Sequence, residues 1–206
     1  MQGLTEMLIW LPAILIALTF HEFAHGWVAD KLGDDTPYYQ GRLTLNPLAH
    51  IDWVGFIMLL IFQFGWAKPV QVNPRNFRNI NPKTGMMLVS LAGPGMNLLL
   101  ALIGMIALKL ISPHQGSDWA ALAIPLLQPL VYIDLILAAF NLIPLPPLDG
   151  SKILAGLLPD SGARMIYSLE QYGPLILLLL ILSGAVGKIL WPLVNFLYAV
   201  LDSLIA

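Results

Sequence analysis

The chain has 206 residues, of which 58% are hydrophobic and only 11% are charged, and its mean hydropathy is +0.77. Soluble domains carry about 25% charged residues, so this composition excludes an ordinary soluble enzyme and indicates an integral membrane protein. The net charge of −2 gives no attraction to nucleic acid, and the lack of cysteine leaves His, Asp and Glu as candidate metal ligands.

The first predicted span, roughly Met7–Val28, ends in the motif TFHEFAHGW. His21 and His25 are four residues apart and therefore project from one face of a helix. Two imidazoles at this spacing can bind one tetrahedral zinc ion, and Glu22 is placed to take a proton from water. The alternative is two histidines bonded to backbone carbonyls. Because ionisable groups inside a span are costly and usually functional, the metal site is favoured.

The region between the first two long spans contains three shorter candidate elements. Thr36–Asn46, TPYYQGRLTLN, has aromatic and β-branched residues around a glycine, which predicts short strands or a hairpin. Val70–Asn73 lies between two prolines and is a second candidate strand. Trp53–Trp66 is apolar but has only 14 residues, which is short for a span and predicts a re-entrant or interfacial segment.

Three further spans are predicted at Met86–Ile111, at Trp119–Leu142, and from Gly173 to at least Val186. The second span is interrupted by Gly93, Pro94 and Gly95. The apolar tail from Lys188 to Ala206 could continue the fourth helix, turn back or lie on the interface. We therefore predict an all-α polytopic membrane protein with about four spanning helices, or up to six, and a short β element. Residues 1–206 are expected to form a single membrane-embedded domain.

The distribution of positive charge predicts the orientation. If Trp53–Trp66 does not cross, eight basic residues lie on one side of the membrane and only Lys109 lies at the edge of the opposite loop. This bias places the large loops in the cytoplasm and the N-terminus outside the cell membrane. The eight residues are Lys31, Arg42, Lys68, Arg75, Arg78, Lys83, Lys152 and Arg164.

Zinc catalysis needs a third protein ligand and an open position, for which the candidates are His50, Asp52, His114, Asp134 and Asp149. Asp149 stands in NLIPLPPLDG at the cytoplasmic end of the third span, at a depth similar to that of His21 and His25. The prolines there break the helix and allow a carboxylate to be presented sideways. The alternative is that Asp149 caps a helix at Ser151–Leu158, and the residues alone do not decide between the two.

Two further polar residues lie in the third span. Asn141 could donate a hydrogen bond to a developing oxyanion or hold substrate backbone, or make an ordinary helix-terminal hydrogen bond. Asp134 is an intramembrane acid that could handle protons, support a zinc-bound histidine or make a packing hydrogen bond.

Taken together, these motifs resemble the site-two protease family of intramembrane zinc metalloproteases. The resemblance rests on HEFAH in the first span, AGPGMN (Ala92–Asn97) in the second and NLIPLPPLDG (Asn141–Gly150) in the third. GRLTLNPLAHID and GWAKPVQVNPRNFR are similar to its small bacterial-type members. Many bacterial members carry a PDZ domain in the extracytoplasmic loop, whereas the corresponding loop here, Ser112–Asp118, has seven residues.

The resemblance implies one zinc ion per chain, bound by His21, His25 and Asp149, with Glu22 as the catalytic glutamate. It implies that Asn141 places substrate or stabilises the oxyanion. The expected function is zinc-dependent endopeptidase cleavage within or near transmembrane segments, with single-span membrane proteins in the lipid bilayer as substrates. The alternative is a non-proteolytic metal or proton transporter with a His/Asp site, although a transporter has no need for Glu22 beside the first histidine.

Overall fold

The computed structural model describes residues 2–62 and 65–205. The α-helices are α1 (Gln2–Lys31), α2 (Thr36–Tyr39), α3 (Trp53–Phe62), α4 (Pro82–Ile111), α5 (Asp118–Leu142), α6 (Asp149–Leu157), α7 (Asp160–Leu169), α8 (Gly173–Leu182) and α9 (Ala185–Ile205). Single 3-10 turns lie at Pro47–Ala49, Pro74–Asn76, Ser112–His114 and Glu170–Tyr172. No strand occurs within the described ranges, and the prediction of an all-α protein is confirmed.

Five stretches of the described residues are helical, long and apolar enough to cross a membrane. This number falls between the four and six spans expected from the sequence, and it confirms a multi-pass membrane protein. The five stretches are Ile9–Lys31, Pro82–His114, Asp118–Leu142, Asp160–Leu182 and Ala185–Ile205.

The helices α1, α4 and α5 pack against one another and form the bundle that carries the polar residues. α4 begins at Pro82 because the side chain of Asn81 accepts the backbone N–H of Lys83 at 2.9 Å, and a proline in the first turn loses no helical bond. We call the end of the bundle at which α1 and α5 finish and α4 begins the site end. An apolar cluster joins α4 and α5 to α9 and consists of Ala101, Met105, Val131, Leu135, Ala139, Val194 and Leu201.

The predicted interruption of the second span at Gly93, Pro94 and Gly95 is wrong, since α4 continues through these residues. A proline removes one backbone bond from a helix, but membrane helices tolerate this where packing surrounds the site, and Pro94 is fully buried. Gly93 instead permits a close helix contact. A Cβ atom at this position would lie 2.4 Å from Nε2 of His25.

The strand prediction for Thr36–Asn46 is not borne out, because its first four residues form the helical turn α2. Local capping overrides the β propensity here. Asp34 accepts hydrogen bonds from the backbone N–H and the hydroxyl of Thr36, and Gly41, with φ 65°, closes the turn. The N–H of Arg42 then bonds the carbonyl of Pro37 at 2.8 Å, in a glycine-terminated helix cap. Val70–Asn73 is neither helical nor paired in a sheet within the described residues.

The segment containing α3 returns to where it began. Ile51 and Ala67, which flank it, form an isolated antiparallel bridge, so both of its ends lie at the same depth. Ends that meet fit the prediction that Trp53–Trp66 is a re-entrant or interfacial segment, and residues 63 and 64 lie outside the described residues. The helix presents several large apolar side chains outward, namely Trp53, Val54, Ile57, Leu60 and Ile61.

The chain after α6 stays at the site end through α7. The ammonium group of Lys83, at the start of α4, lies 2.9 Å from the carboxylate of Asp160, which opens α7. Gly173, which opens α8, packs against the backbone of Pro146 in the loop after α5. Both ends of α7 are therefore held beside the loops of the site end.

The predicted fourth span, Gly173 to at least Val186, is broken. α8 ends at Leu182, and Gly184 has a positive φ of 73° that turns the chain into α9. The ring of Trp191 in α9 lies 6.2 Å from that of Tyr132 in α5. The last turn of α9 reaches Lys109, whose ammonium group donates to the carbonyl of Ile205. α9 therefore runs parallel to α4, and the tail forms a helix of its own.

Candidate active site

Among the described residues, a cluster of three potential metal ligands lies at the site end, namely His21, His25 and Asp149. The Nε2 atoms of the two imidazoles are 3.0 Å apart, and Oδ2 of Asp149 lies 3.3 Å from the first and 3.1 Å from the second. Two ligand atoms about 2.0–2.1 Å from one tetrahedral zinc ion lie roughly 3.3 Å apart. The spacing of these atoms therefore fits a shared zinc ion.

The hydrogen bonds on the far side of each imidazole fix which nitrogen faces the cluster. Nδ1 of His25 lies 2.7 Å from the carbonyl oxygen of Val89, which can only accept. Nδ1 of His21 lies 2.6 Å from Oδ1 of Asn97. When both Nδ1 atoms donate, both Nε2 atoms carry lone pairs. Two imidazole lone pairs and a carboxylate oxygen then converge, and such a donor set suits a cation of the zinc type.

Asp149 reaches the histidines because the chain turns sharply after α5. Gly150 packs so tightly on this turn that a Cβ atom would lie 2.3 Å from the carbonyl oxygen of Ile143. Asp149 is the first residue of α6, whose N-cap is Leu148, and its carboxylate faces the two histidines. The capping role considered for Asp149 is therefore not the one observed. Burial raises the pKa of Asp149, but when His25 is protonated its charge outweighs burial and holds that pKa below its usual range.

Glu22 lies in the same cavity, which has a volume of about 250 Å³. Its Oε2 atom accepts a 2.8 Å hydrogen bond from the backbone N–H of Val70. This bond ties the carboxylate of Glu22 in α1 to segment 67–73. The side chains around the cavity include His21, Glu22, His25, Pro69, Val70, Asn141, Asp149 and Lys152.

Asn141 also lines this cavity. One of its amide N–H groups donates to the carbonyl of Leu137 at 3.1 Å, which is the helix-terminal bond considered as the alternative role. An asparagine amide carries two N–H donors. The observed bond therefore holds the side chain in place and leaves a second donor beside the cavity.

Sequence reasoning missed two groups around the cluster. Asn97 was noticed only as part of a motif, yet it contacts His21 directly and also donates to Asp134 at 2.6 Å. Arg42 is 3% exposed and donates to the carbonyls of Ala49 and Lys68, which ties segment 67–73 to the loop before α3. A polar residue in an apolar span was the available signal for Asn97, whereas a lone loop arginine gave none.

The other residues considered as third ligands lie elsewhere. The ring of His50 has its Nε2 atom 2.8 Å from the carbonyl of Thr44. Asp52 accepts the backbone N–H groups of Val54 and Gly55 and thereby caps the start of α3. The remaining two are His114, whose ring lies 5.5 Å from that of Trp119, and Asp134, which is bonded to Asn97.

The chain is similar to proteins named as zinc metalloproteases. The protein named "Putative zinc metalloprotease YwhC" of Bacillus subtilis is 42% identical over 185 residues, covering 88% of this chain and 84% of the relative. "Putative zinc metalloprotease Rip2" of Mycobacterium tuberculosis is 31% identical, covering 89% of this chain and 70% of the relative. "Putative zinc metalloprotease MJ0611" of Methanocaldococcus jannaschii is 29% identical, covering 71% of this chain and 69% of the relative.

A family comparison gives the same result. Residues 108–183 match the description of peptidase family M50. No solved structure matches the chain significantly.

Proposed function

Because the chain belongs to peptidase family M50, the site-2 proteases, and is therefore a zinc metalloprotease of the membrane, we propose that it hydrolyses peptide bonds in or near the transmembrane segments of membrane proteins. The observation that carries this proposal is the convergence of His21, His25 and Asp149 at the end of apolar helices, with Glu22 in the same cavity. A peptide bond cleaved there comes from a segment that is itself in or beside the bilayer.

His21, His25 and Asp149 would hold the single zinc ion through the two Nε2 atoms and Oδ2. Three protein ligands leave a fourth position open, as catalysis requires. Zinc supplies two effects there, namely a lowered pKa of water and withdrawal of charge from the scissile carbonyl. Gly93 supports this assignment, because any side chain at that position would occupy the space beside both imidazoles.

Glu22 acts as the general base in this proposal. Its Oε2 atom is fixed by the N–H of Val70, which leaves Oε1 free to take a proton from the attacking water. The water oxygen forms a bond to the carbonyl carbon, and the C–N bond then breaks. Glu22 returns its proton to the departing amine, so that the carboxylate is regenerated after each turnover.

Asn141 stabilises the negative charge that develops on the carbonyl oxygen. Its bond to Leu137 fixes the amide at the end of α5, and its second N–H is available for the oxyanion. A donor held in place before the reaction needs no reorganisation when charge develops.

A second, apolar cavity supports entry of the substrate from the membrane. It has a volume of about 330 Å³ and lies between α1, α3 and α5. Its lining includes Leu18, Ala67 and Leu137, each only a few residues from the lining of the polar cavity on the same element. A transmembrane helix bonds all of its backbone groups to itself, so it must unwind locally to be cut. Segment 67–73 is neither helical nor part of a sheet, and Val70 and Val72 line the polar cavity, so it offers backbone groups beside Glu22 for the unwound stretch.

Thr36–Asn46, which was predicted to form short strands, does not provide a strand edge at its start, because Thr36–Tyr39 is helical. Substrate segments with Gly, Pro or Asn near the cut should unwind more readily, since these are weaker helix formers than Leu or Ala.

The site end faces the cytoplasm in this proposal. Eight basic residues lie in or beside its loops, against Lys109 at the end of α4, while Lys188 lies in the first turn of α9. Cytoplasmic loops are enriched in lysine and arginine. Because the chain lacks cysteine, single-cysteine variants Arg75→Cys and Ser117→Cys can be labelled in intact cells with an impermeant maleimide. We expect labelling of position 117 alone before lysis, and labelling of position 75 alone would reverse the orientation.

The proposed function is tested by reconstituting the protein in liposomes with a model single-span substrate. Wild-type protein should release two fragments and contain zinc, whereas Glu22→Gln should contain as much zinc and release none. Equal product from the Glu22→Gln variant would remove Glu22 from the mechanism. Zinc uptake into the liposomes without any fragment would favour a transporter.

A further inference from the structure

A line of buried polar side chains connects the candidate metal centre to the middle of the bundle. Nδ1 of His21 in α1 meets Oδ1 of Asn97 in α4 at 2.6 Å, and Nδ2 of Asn97 meets Oδ1 of Asp134 in α5 at 2.6 Å. Asn97 and Asp134 are both 0% exposed. Burying an amide and a carboxyl group between apolar helices is costly unless hydrogen bonds compensate, so this arrangement requires an explanation beyond packing.

The partners of Asn97 determine which way its amide points. Nδ2 lies 3.1 Å from the backbone carbonyl of Ala17 as well as 2.6 Å from Asp134. A backbone carbonyl can only accept, so the amino group of Asn97 must face Ala17. The amide oxygen is then the atom that faces His21. Consequently Nδ1 of His21 must be the protonated nitrogen, and Nε2 presents a lone pair to the ligand cluster.

The second histidine needs no such support. Nδ1 of His25 bonds the backbone carbonyl of Val89 at 2.7 Å, and the path of α4 alone fixes that acceptor. The tautomer and ring orientation of His21 depend instead on two side chains, one from α4 and one from α5. The two imidazoles of the cluster are therefore held by different means.

We propose that Asn97 and Asp134 are positioning residues that hold His21 in the tautomer and orientation in which it binds zinc. The proposal rests on the proposed role of His21 as a ligand. Asn97 accepts the Nδ1 proton of His21, while Asp134 keeps the Asn97 amide from rotating. Groups that orient a metal-bound histidine typically change metal affinity by about 10–100-fold when they are removed.

The test measures zinc affinity, by competition with a chelator, in Asn97→Leu, Asp134→Leu and Asp134→Asn. Asn97→Leu should weaken zinc binding by about 10–100-fold, and Asp134→Leu should weaken it less. Asp134→Asn keeps an oxygen for the Asn97 amide and should restore affinity close to the wild-type value. The visible absorption of the cobalt-substituted protein should change in the two leucine variants, because the orientation of one ligand changes.

Leu135→Ala is the matched control. Leu135 follows Asp134 in α5, is 2% exposed and belongs to the apolar cluster with α4 and α9. Its truncation should lower the melting temperature of the metal-free protein without changing zinc affinity or the cobalt spectrum. If Asn97→Leu fails to fold, the contrast between Asp134→Leu and Asp134→Asn carries the test.

The proposal is overturned if both leucine variants bind zinc as tightly as Leu135→Ala and keep the wild-type cobalt spectrum. It is also overturned if Asp134→Asn and Asp134→Leu are equally weak, since oxygen acceptance would then be irrelevant. His21→Ala separates this outcome from failure of the proposed function. Full zinc affinity in His21→Ala would refute the assignment of His21 as a ligand. If His21→Ala loses zinc affinity while Asn97→Leu keeps it, only the positioning role is refuted.

Discussion

The helices that hold the ligand cluster and the segment around α3 are built in opposite ways. In the first region, Asn97 and Asp134 are fully buried and hydrogen-bonded across three helices, and the imidazoles contact α4 closely at Gly93. In the second region, α3 presents exposed apolar side chains and covers an apolar cavity of about 330 Å³. A metal centre needs ligands held within narrow limits. A substrate entering from the membrane instead needs a cavity wall, here α3, that can move to admit it.

The difference suggests that the first region binds the metal and performs the chemical step, whereas the second region binds the substrate. Changes among the buried polar residues should act through zinc or through the chemical step. Changes in segment 67–73 and in α3 should leave zinc bound and act on the base or on substrate binding. Each of the following variants separates these two kinds of effect.

The largest effect is expected from the ligands. His21→Ala, His25→Ala and Asp149→Ala should each lose nearly all bound zinc and all detectable proteolysis, because two remaining ligands hold zinc poorly. Elemental analysis and fragment release measure the two quantities. The control is His114→Ala, which removes a histidine from the opposite end of the bundle and should change neither. A ligand variant with full zinc content would show that the cluster is not the metal site.

Asn141→Ala should come next. Removal of one oxyanion donor lowers kcat by about 10²–10³-fold in other hydrolases, and zinc content should stay unchanged because Asn141 is not a ligand. Asn195→Ala, on the exposed face of α9, is the matched control. If kcat for Asn141→Ala equals the wild-type value, the bond to Leu137 is the whole role of this side chain.

The bond between Val70 and Glu22 predicts a smaller effect. Val70→Pro removes the N–H that fixes the carboxylate, and a hydrogen bond to a charged group contributes about 1.5–3 kcal/mol, so kcat should fall roughly tenfold or more. Val70→Ala keeps the N–H and should retain activity. Both variants should keep zinc. Equal activity of the two variants would mean that segment 67–73 does not hold the base.

The smallest effect is expected in the wall of the apolar cavity. Leu59 lines the cavity, whereas its neighbour Leu60 is exposed on α3. Leu59→Trp should fill part of the cavity and raise KM for a membrane substrate, with kcat and zinc content unchanged. Leu60→Trp should behave like the wild type. The same KM for both variants would argue that substrate does not enter beside α3.

The histidine pair could be predicted from the sequence because its signal is local, since residues four apart project from one face of any helix. From the sequence, Asp149 is assigned to the ligand set only through the family resemblance of its motif, because its own residues are equally compatible with a capping role. The line of hydrogen bonds from His21 through Asn97 to Asp134 could not be predicted, since it depends on the side-by-side packing of three helices. The positions that fix the tautomer of His21 are 76 residues or more away in sequence.

The errors have a similar origin. Thr36–Asn46 has the composition of a strand, but Asp34 and Gly41 cap a helical turn at its start. The predicted break at Pro94 ignored the packing that supports a proline inside a buried helix. The fourth span was extended past Gly184, where a single positive φ separates α8 from α9. In each case one capping or packing contact outweighed the average preference of the residues.

The site formed by His21, His25, Asp149 and Glu22 is proposed to cleave substrates that reach it from within the membrane. The position of the cleaved bond tests this most directly. A single-span substrate with identical soluble flanks can be incubated with the wild-type protein in liposomes, and the fragments can be sequenced by mass spectrometry. We predict cleavage inside the membrane segment or within a few residues of its cytoplasmic end, and no cleavage by Glu22→Gln. Cleavage confined to the soluble flanks, at the same rate without a membrane segment, would contradict the account.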